Sequence, residues 1–237
     1  MSIPKTILLT RLMVVCTWCL LIISCEKKKD EDDPTPPPLT GTVTDIDGNV
    51  YPTVTIGSQV WMAANLNTTH YRNGDTIHHV ADGTEWYNMT TEAYCVYENQ
   101  SSNSAAYGKM YNWHAVNTTL LCPDGWHVPS DAEWEILENF LGEPATAGGK
   151  LKETGTAHWQ SPNTGATNET GFSARPGGYR SSTGGFFSLT YNGYWWSSTE
   201  GSDPAYGLYR WLDFNLSQFY RNEDYKVDGI SVRCVKD

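Results

Sequence analysis

The stretch 122-CPDGWHVPSDAEWEIL-137 contains the clearest helix start in the chain. Ser130, followed three residues later by Glu133, forms a capping box, in which two exposed N–H groups at the helix start are bonded by side chains. Apolar residues then recur at the helical spacing i, i+3, i+7, and these are Trp134, Leu137 and Leu141. We therefore predict one main capped helix that ends at Gly142.

The acidic residues and the histidine of this stretch have structural roles available to them. Asp131 and Glu133 lie at the positive end of the helix dipole, where carboxylates are stabilising. We therefore interpret Asp131, Glu133 and Glu135 as helix-start and solvent-face residues rather than catalytic carboxylates. His127 lies in the preceding turn with no second His or Cys at zinc-ligand spacing. The sequence thus predicts scaffolding here, with no metal, no cofactor and no catalytic residue.

Strand patterns surround this helix at both ends of the domain. Residues 40–66 alternate apolar and polar side chains around two turn sequences, Asp47-Gly48-Asn49 and Gly57-Ser58, which is a hairpin pattern. Residues 229–237, GISVRCVKD, alternate in the same way and predict a final strand. We expect the opening strands to pair with each other or with the end of the chain. Residues 65–117 predict loops and short strands, apart from a short helix or strand within residues 107–116.

The first 24 residues have the pattern of a bacterial lipoprotein signal peptide. Lys5 and Arg11 accompany an apolar run, LMVVCTWCLLII, that is too short to span a bilayer. Ile22-Ile23-Ser24-Cys25 at its end resembles a lipobox, which makes Cys25 the predicted lipidation site and new N-terminus. Several acyl chains together anchor a protein firmly, so the sequence predicts attachment to the cell envelope, at the outer membrane. The alternative is a plain secretory signal.

A charged and proline-rich segment follows the predicted lipidation site. Residues 25–39 include EKKKDEDDPTPPP, in which charges resist burial and prolines keep the chain extended, so we predict a flexible tether. Residues 40–237 then form the folded domain. Loss of Lys5 and Arg11 with the signal leaves 14 of 16 basic residues against 27 acidic ones. A net charge of −13 disfavours nucleic acid as a partner.

Four cysteines remain after residue 24, namely Cys25, Cys95, Cys122 and Cys234. If Cys25 is lipidated, one of the other three has no partner within the monomer. A bond from Cys122 to Cys234 would tie the start of the main helix to the final strand. Cys95 would then be a small buried hydrophobic residue.

Seven segments, in order from about residue 42 to 237, resemble the Fibrobacter succinogenes major paralogous domain of surface lipoproteins from Bacteroidota and Fibrobacterota. These segments are DIDGNVYPTVTIGSQVWMAANL, YGKMYNWHAV, CPDGWHVPSDAEWEIL, GGKLKETG, GFSARPGGYR, YWWSSTE and SVRCVKD. That domain is similar to C-type-lectin-like folds. The resemblance implies an α+β fold with short antiparallel sheets, one main helix and long irregular loops. It also implies the Cys122–Cys234 disulfide, because such folds join a cysteine by the first helix to one in the last strand.

The same superfamily contains lectins, protein-binding modules and formylglycine-generating enzymes, so the fold alone does not choose a function. The enzyme branch uses a cysteine pair near its C-terminal part, where this chain has only Cys234, and we therefore expect no enzymatic activity. Calcium lectins use Glu-Pro-Asn or Gln-Pro-Asp and then Trp-Asn-Asp. This chain has Glu143-Pro144-Ala145 and Trp211-Leu212-Asp213 instead, which disfavours calcium-dependent sugar binding.

The aromatic composition suggests a binding surface. Ten Trp and fourteen Tyr accompany only six Phe, and the polar edges of Trp and Tyr suit glycan or protein contacts. The expected ligand contacts in the Gly- and Asn-rich region are Trp159, Arg175, Tyr179, Arg180, Trp195, Trp196 and Trp211. The leading prediction is therefore a membrane-tethered module that binds glycan or protein. A structural or adhesive envelope component, with these rings in its core, is the alternative, and an enzyme with an unrecognised site ranks last.

Overall fold

Two main sheets, a separate two-stranded hairpin and five short helices form the framework of the described part of the chain. The computed structural model describes residues 41–237. The predicted signal peptide (1–24), the lipidation site Cys25, the tether (25–39) and residue 40 lie outside the described residues. The helices are α1 (Gly83–Tyr87), α2 (Ser101–Tyr107), α3 (Trp113–Asn117), α4 (Asp131–Leu141) and α5 (Pro144–Leu151). This mixture of helix and mainly antiparallel sheet confirms the α+β class.

The first sheet has five strands in the order β1-β2-β3-β13-β6. Its strands are β1 (Gly41–Thr44), β2 (Val50–Ile56), β3 (Gln59–Met62), β6 (Trp126–His127) and β13 (Val235–Lys236). The two predicted hairpins are present, and Gly48 and Gly57 have φ values of 84° and 60° in their turns, a conformation that favours glycine. β3 also pairs with β13, so the opening strands pair both with each other and with the end of the chain.

The second sheet has six strands in the order β11-β10-β9-β12-β5-β4. Its strands are β4 (Tyr94–Cys95), β5 (Met110–Tyr111), β9 (Asn192–Glu200), β10 (Tyr206–Asp213), β11 (Tyr220–Tyr225) and β12 (Ile230–Ser231). β9 and β12 are parallel, and the other pairings are antiparallel. A separate hairpin joins β7 (Tyr179–Arg180) to β8 (Phe186–Phe187). Residues 107–116 therefore supply both a strand and a helix.

Helix α4 begins and ends as predicted. Ser130 Oγ accepts from the Glu133 N–H at 3.3 Å, and the Glu133 carboxylate accepts from the Ser130 N–H at 2.7 Å. Asp131 lies at the helix start as predicted, but its prediction as a solvent-face residue was wrong, because its side chain is buried. Its carboxylate accepts from Arg210 at 3.0 Å and Arg221 at 2.8 Å, on strands 79 and 90 residues later. Glu135 is exposed as predicted.

His127 has a structural position. Its Nδ1 lies 2.5 Å from the Asp237 carboxylate and its Nε2 lies 2.7 Å from that of Glu133. Burial opposes the charged form, but the hydrogen bonds to both carboxylates outweigh it, so the pKa of His127 is raised. Both ring nitrogens are therefore occupied in joining the end of the chain to the helix start.

The prediction of a single final strand was wrong, because residues 230–236 form two strands, β12 and β13. β12 belongs to the second sheet and β13 to the first, and residues 232–234 cross from one sheet to the other. Other parts of the chain cover both sides of this crossing, so Val232, Arg233 and Cys234 are all buried. The predicted alternation of buried and exposed side chains therefore does not hold here. The Cys122–Cys234 disulfide is confirmed. Cys95 is buried and unpaired as predicted, and burial raises the pKa of its thiol to about 12.

The long region between α5 and β9 is irregular apart from the β7–β8 hairpin, and a buried lysine organises it. Lys152 is fully buried, and its ammonium donates to the carbonyl oxygens of Thr164 at 2.8 Å, Asp213 at 3.0 Å and Leu216 at 2.8 Å. Burial lowers the pKa of Lys152 to about 8. One side chain thus fastens the irregular segment around Thr164 to the end of β10 and to the turn that follows it.

Tryptophan fills much of the core. Among the described residues, the buried tryptophans are Trp61, Trp86, Trp113, Trp126, Trp134, Trp159, Trp195 and Trp196. Trp195 packs with the helix α4 side of the molecule, and its neighbour Trp196 packs in the cluster around the disulfide. Adjacent strand residues point to opposite faces, so β9 must have structure on both sides.

Within residues 41–237, no helix has the length and apolar character needed to cross a membrane. The same residues contain no group of three or more His, Cys, Asp or Glu side chains arranged to hold a metal ion.

Candidate functional site: a polar cleft with an arginine floor

A cavity of about 410 Å³ opens between α2, the start of β2 and the segment after β3. Its volume lies in the usual range for small-ligand pockets, about 300–1,000 Å³. The residues that line it are Asn49, Val50, Tyr51, Pro52, Ala63, Ala64, Asn65, Asn67, Ser104, Ala105, Ala106, Tyr107, Gly108, Glu153, Ser173, Arg175 and Arg233. We call this cavity the polar cleft.

Asn65 and Arg233 form the floor of the polar cleft. Asn65 Oδ1 accepts from Arg233 Nη2 at 2.8 Å and Nε at 3.2 Å, and also from Trp195 Nε1 at 2.8 Å. The other end of the amide donates to the Tyr107 carbonyl at 2.8 Å. Arg233 also donates to the carbonyl of Phe172, and its guanidinium lies 4.1 Å from the centre of that ring. The floor is therefore held by neutral partners on every side.

The charge on Arg233 is costly in this position. Its side chain is 1% exposed. Burial, with repulsion from Arg175, lowers the pKa of Arg233 to about 9, while Glu153 opposes this change. A buried cation with no carboxylate bonded to it stabilises the fold less than a paired one, because desolvation of the charge is not repaid.

Arg175 and Glu153 form the rim of the polar cleft. Arg175 Nε and Nη2 both contact one Glu153 oxygen, at 2.9 and 2.8 Å, and Arg175 Nη1 donates to the Ala106 carbonyl at 2.9 Å. The second oxygen of Glu153 lies 2.6 Å from His158 Nδ1. Arg175 is about one-third exposed, so it can contact a ligand at the mouth. Of the seven predicted ligand contacts, Arg175 alone lines this cleft.

Four of the predicted ligand contacts were wrong, because these side chains are buried. Trp159, Trp195, Trp196 and Arg180 are each no more than 1% exposed. The three indoles instead donate their N–H groups inside the protein, to Ala174, Asn65 and Tyr111 respectively. A ring with no accessible face cannot stack on a sugar.

Arg180 is a structural cation. Its guanidinium donates to the carbonyls of Val80 at 2.6 Å, Ala81 at 2.9 Å and Gly184 at 3.1 Å. It also lies 4.6 Å from the Trp86 ring centre. Arg180 thus attaches the β7–β8 hairpin to the segment before α1.

Tyr179 and Trp211 are partly exposed and lie in a row of rings across the second sheet. Trp211 stands opposite Tyr194 on β9 and Tyr220 on β11, with ring centres 6.2 and 4.4 Å away and interplanar angles of 22° and 18°. Tyr179 contacts Tyr194 edge-on at 5.2 Å. Rings on both neighbouring strands flank Trp211, which limits the ring surface that it could offer to a sugar.

A small cavity and one buried carboxyl group, that of Asp228, lie beside this row. A cavity of about 80 Å³ is lined by Tyr179, Tyr194, Tyr209, Asp224 and Ile230. Asp228 is buried, and its Oδ1 has no hydrogen-bond partner in the described part of the chain. Burial and the neighbouring Asp224 raise the pKa of Asp228 well above its usual range.

Asp228 should therefore make stability depend on pH. Between the ordinary Asp pKa near 4 and the raised value, the folded state keeps a proton that the unfolded state has lost, so stability falls as pH rises. We expect the free energy of unfolding of Asp228→Asn, relative to wild type, to increase between pH 5 and pH 9 in urea titrations. Asp124→Asn is the control, because this side chain is fully exposed and loses the same charge. A constant difference across this range would contradict the assignment.

Sequence reasoning missed the most informative residues of the cleft, which are Arg233, Asn65 and Glu153. Alternation along the last strand placed Arg233 on the outside, and the crossing between sheets reverses that placement. The available signal was an arginine directly before a cysteine predicted to be in a buried disulfide.

One family model matches the chain over residues 54–236, and its description is the Fibrobacter succinogenes major domain. No curated protein and no solved structure matches the chain.

Proposed function

The chain belongs to the Fibrobacter succinogenes major domain family, and on that premise we propose that it is a binding module for a glycan or a protein. The polar cleft is the observation that carries this proposal. It combines a volume suited to a small ligand with amide, hydroxyl and guanidinium groups from five separate chain segments. No catalytic role is proposed for any of these residues.

We further propose that the module works in the cell envelope, attached to the outer membrane. The lipobox-like sequence ending at Cys25 supports lipid anchoring, and residues 25–39 would hold domain 40–237 away from the membrane. The net charge of −11 disfavours nucleic acid as a partner.

A C-type-lectin-like fold is the finer structural proposal. It is supported by the disulfide between the segment before α4 and the end of the chain, by the single long capped helix and by the irregular region before β9. Glu143 and Pro144 begin α5 rather than a long loop.

A structural or adhesive envelope component is the second candidate. The burial of Trp159, Trp195 and Trp196 favours it, because the ring-rich segment then serves the core rather than a ligand.

Blocking the cleft separates the two candidates. Ala105 lines the cleft and is exposed on α2, so Ala105→Trp should obstruct the mouth without entering the core. We expect the full chain, purified in detergent, to bind on a glycan array or to capture an envelope protein, and Ala105→Trp to reduce that signal at least tenfold. Ala132→Trp is the matched control, because Ala132 is exposed on α4 and lies outside the cleft.

The array and the capture experiment can also refute the binding role. Equal signals from Ala105→Trp and Ala132→Trp would exclude the cleft as the site. Absence of any saturable ligand in both screens would favour the structural component.

A further inference from the structure

Arg233 lacks the carboxylate partners that another buried arginine, Arg210 on β10, has. Arg210 is also buried, and it contacts the carboxylates of Asp131 at 3.0 Å and Glu138 at 2.6 Å. Arg233 donates hydrogen bonds only to an amide oxygen and a carbonyl oxygen among the described residues, and its other neighbours are the rings of Phe172 and Trp195. Three of the five N–H groups of a guanidinium are thereby used, which leaves two without an acceptor among residues 41–237.

The nearest carboxylate does not supply the missing charge. Glu153 lies in the same cleft, but its two oxygens contact Arg175 at 2.8 Å and His158 at 2.6 Å. The cleft therefore contains two guanidinium groups and one carboxylate. In a chain with a net charge of −11, this is a local excess of positive charge.

Two other buried cations in residues 41–237, Lys152 and Arg180, have a different position. Lys152 and Arg180 also donate to carbonyls, yet neither lines the polar cleft. Each is fully enclosed and fastens loop segments. Arg233 differs because it forms part of the wall of a space large enough for a ligand.

We infer that the polar cleft binds the carboxylate of an acidic sugar, such as a uronic acid unit of a glycan. This inference rests on the proposed binding function and assigns its ligand chemistry. A carboxylate accepts two parallel N–H bonds from a guanidinium, and such charge-assisted bonds are stronger than bonds between neutral groups. Arg175, which is about one-third exposed at the rim, would make these bonds, and the ligand would bring a negative charge close to Arg233, whose own side chain is only 1% exposed.

The rest of the lining favours a sugar as the source of the carboxylate. Asn49, Asn67 and Ser104 bring amide and hydroxyl groups to the wall. These groups both donate and accept hydrogen bonds, as the hydroxyls of a sugar do. The free C-terminus of a peptide has the same carboxylate but not the hydroxyls, and it is tested as a separate outcome.

The direct test is an NMR titration of the full chain in detergent with three probes. D-glucuronate carries the carboxylate, its methyl ester keeps the shape without the charge, and D-glucose lacks the group. We expect glucuronate to bind about tenfold or more tightly than either neutral probe. We also expect it to shift the Arg233 Nε–H resonance.

Replacing Arg233 could prevent folding, so two rim variants test the charge instead. Glu153→Gln is nearly isosteric and releases Arg175, and we expect it to strengthen glucuronate binding severalfold while leaving glucose unchanged. Arg175→Gln should weaken glucuronate binding by a similar factor. A merely structural role for these residues would change both sugars equally.

The outcomes separate this inference from the proposed function. Equal binding of glucuronate and its methyl ester would show that the cleft does not recognise a carboxylate, while the proposed binding function would stand. Binding of a peptide with a free C-terminal carboxylate, but not of its C-terminal amide or of glucuronate, would show that the ligand is not a sugar. A cleft ligand from the array that is neutral would also overturn it, whereas loss of all cleft binding would remove the proposed function itself.

Discussion

Removal of the disulfide, in the variant Cys122→Ala/Cys234→Ala, is expected to lower the free energy of unfolding by about 4 to 5 kcal/mol. The two cysteines are 112 residues apart, so the bond closes a long loop and removes much of the freedom of the unfolded chain. Both sulfurs are buried in the cluster that includes Trp126 and Trp196. Chemical denaturation monitored by tryptophan fluorescence measures the loss.

Two controls accompany this prediction. A reducing agent should destabilise the wild type by a similar amount and should leave the double variant unchanged. Cys95→Ala should keep the sensitivity to reductant, because Cys95 is unpaired. A double variant that unfolds within about 1 kcal/mol of wild type would show that the bond constrains the unfolded chain little.

The substitution Lys152→Met is expected to lower the free energy of unfolding by about 3 to 5 kcal/mol. The change leaves the carbonyls of Thr164, Asp213 and Leu216 without their donor, and each unsatisfied buried group costs about 1 to 3 kcal/mol. Methionine offsets part of this loss of stability, because the variant no longer buries an ammonium group. The same denaturation experiment measures the effect.

Lys150→Met provides the matched control for this substitution. Lys150 is about one-third exposed and pairs with Glu169 at 3.2 Å, so its loss should cost less than about 1 kcal/mol. Hydrogen exchange should also show faster opening around Thr164 and Leu216 in Lys152→Met than in Lys150→Met. Equal stability of the two variants would contradict the fastening role of Lys152.

Features with a local cause were predictable from the sequence. The hairpin turns depend on glycines a few residues from their strands, and helix α4 depends on a capping box and a repeat of apolar residues within twelve positions. The disulfide followed from a resemblance that placed both cysteines. Each of these signals lies within a short window or within a known pattern.

Features that depend on distant partners were not predictable. Asn65 and Arg233, which form the cleft floor, are 168 residues apart. Asp131 was predicted to face solvent because its place at the helix start already gave its carboxylate a role. Its carboxylate instead pairs with Arg210 and Arg221, which lie on strands of the second sheet. Trp195 and Trp196 were predicted as ligand contacts because aromatic residues are dense in their region. The sequence does not show that other parts of the chain cover both sides of β9 and bury both rings.

The position of β13 has a consequence for how the protein folds. This strand lies between β3 and β6, so the first sheet stays divided into two parts until residues 235–236 pair with both neighbours. The hairpins of β1 to β3 can form early in folding, but the edge of β3 then stays unpaired. Because long-range pairing is slow and open edges invite aggregation, the folding chain should depend on chaperones until β13 has paired.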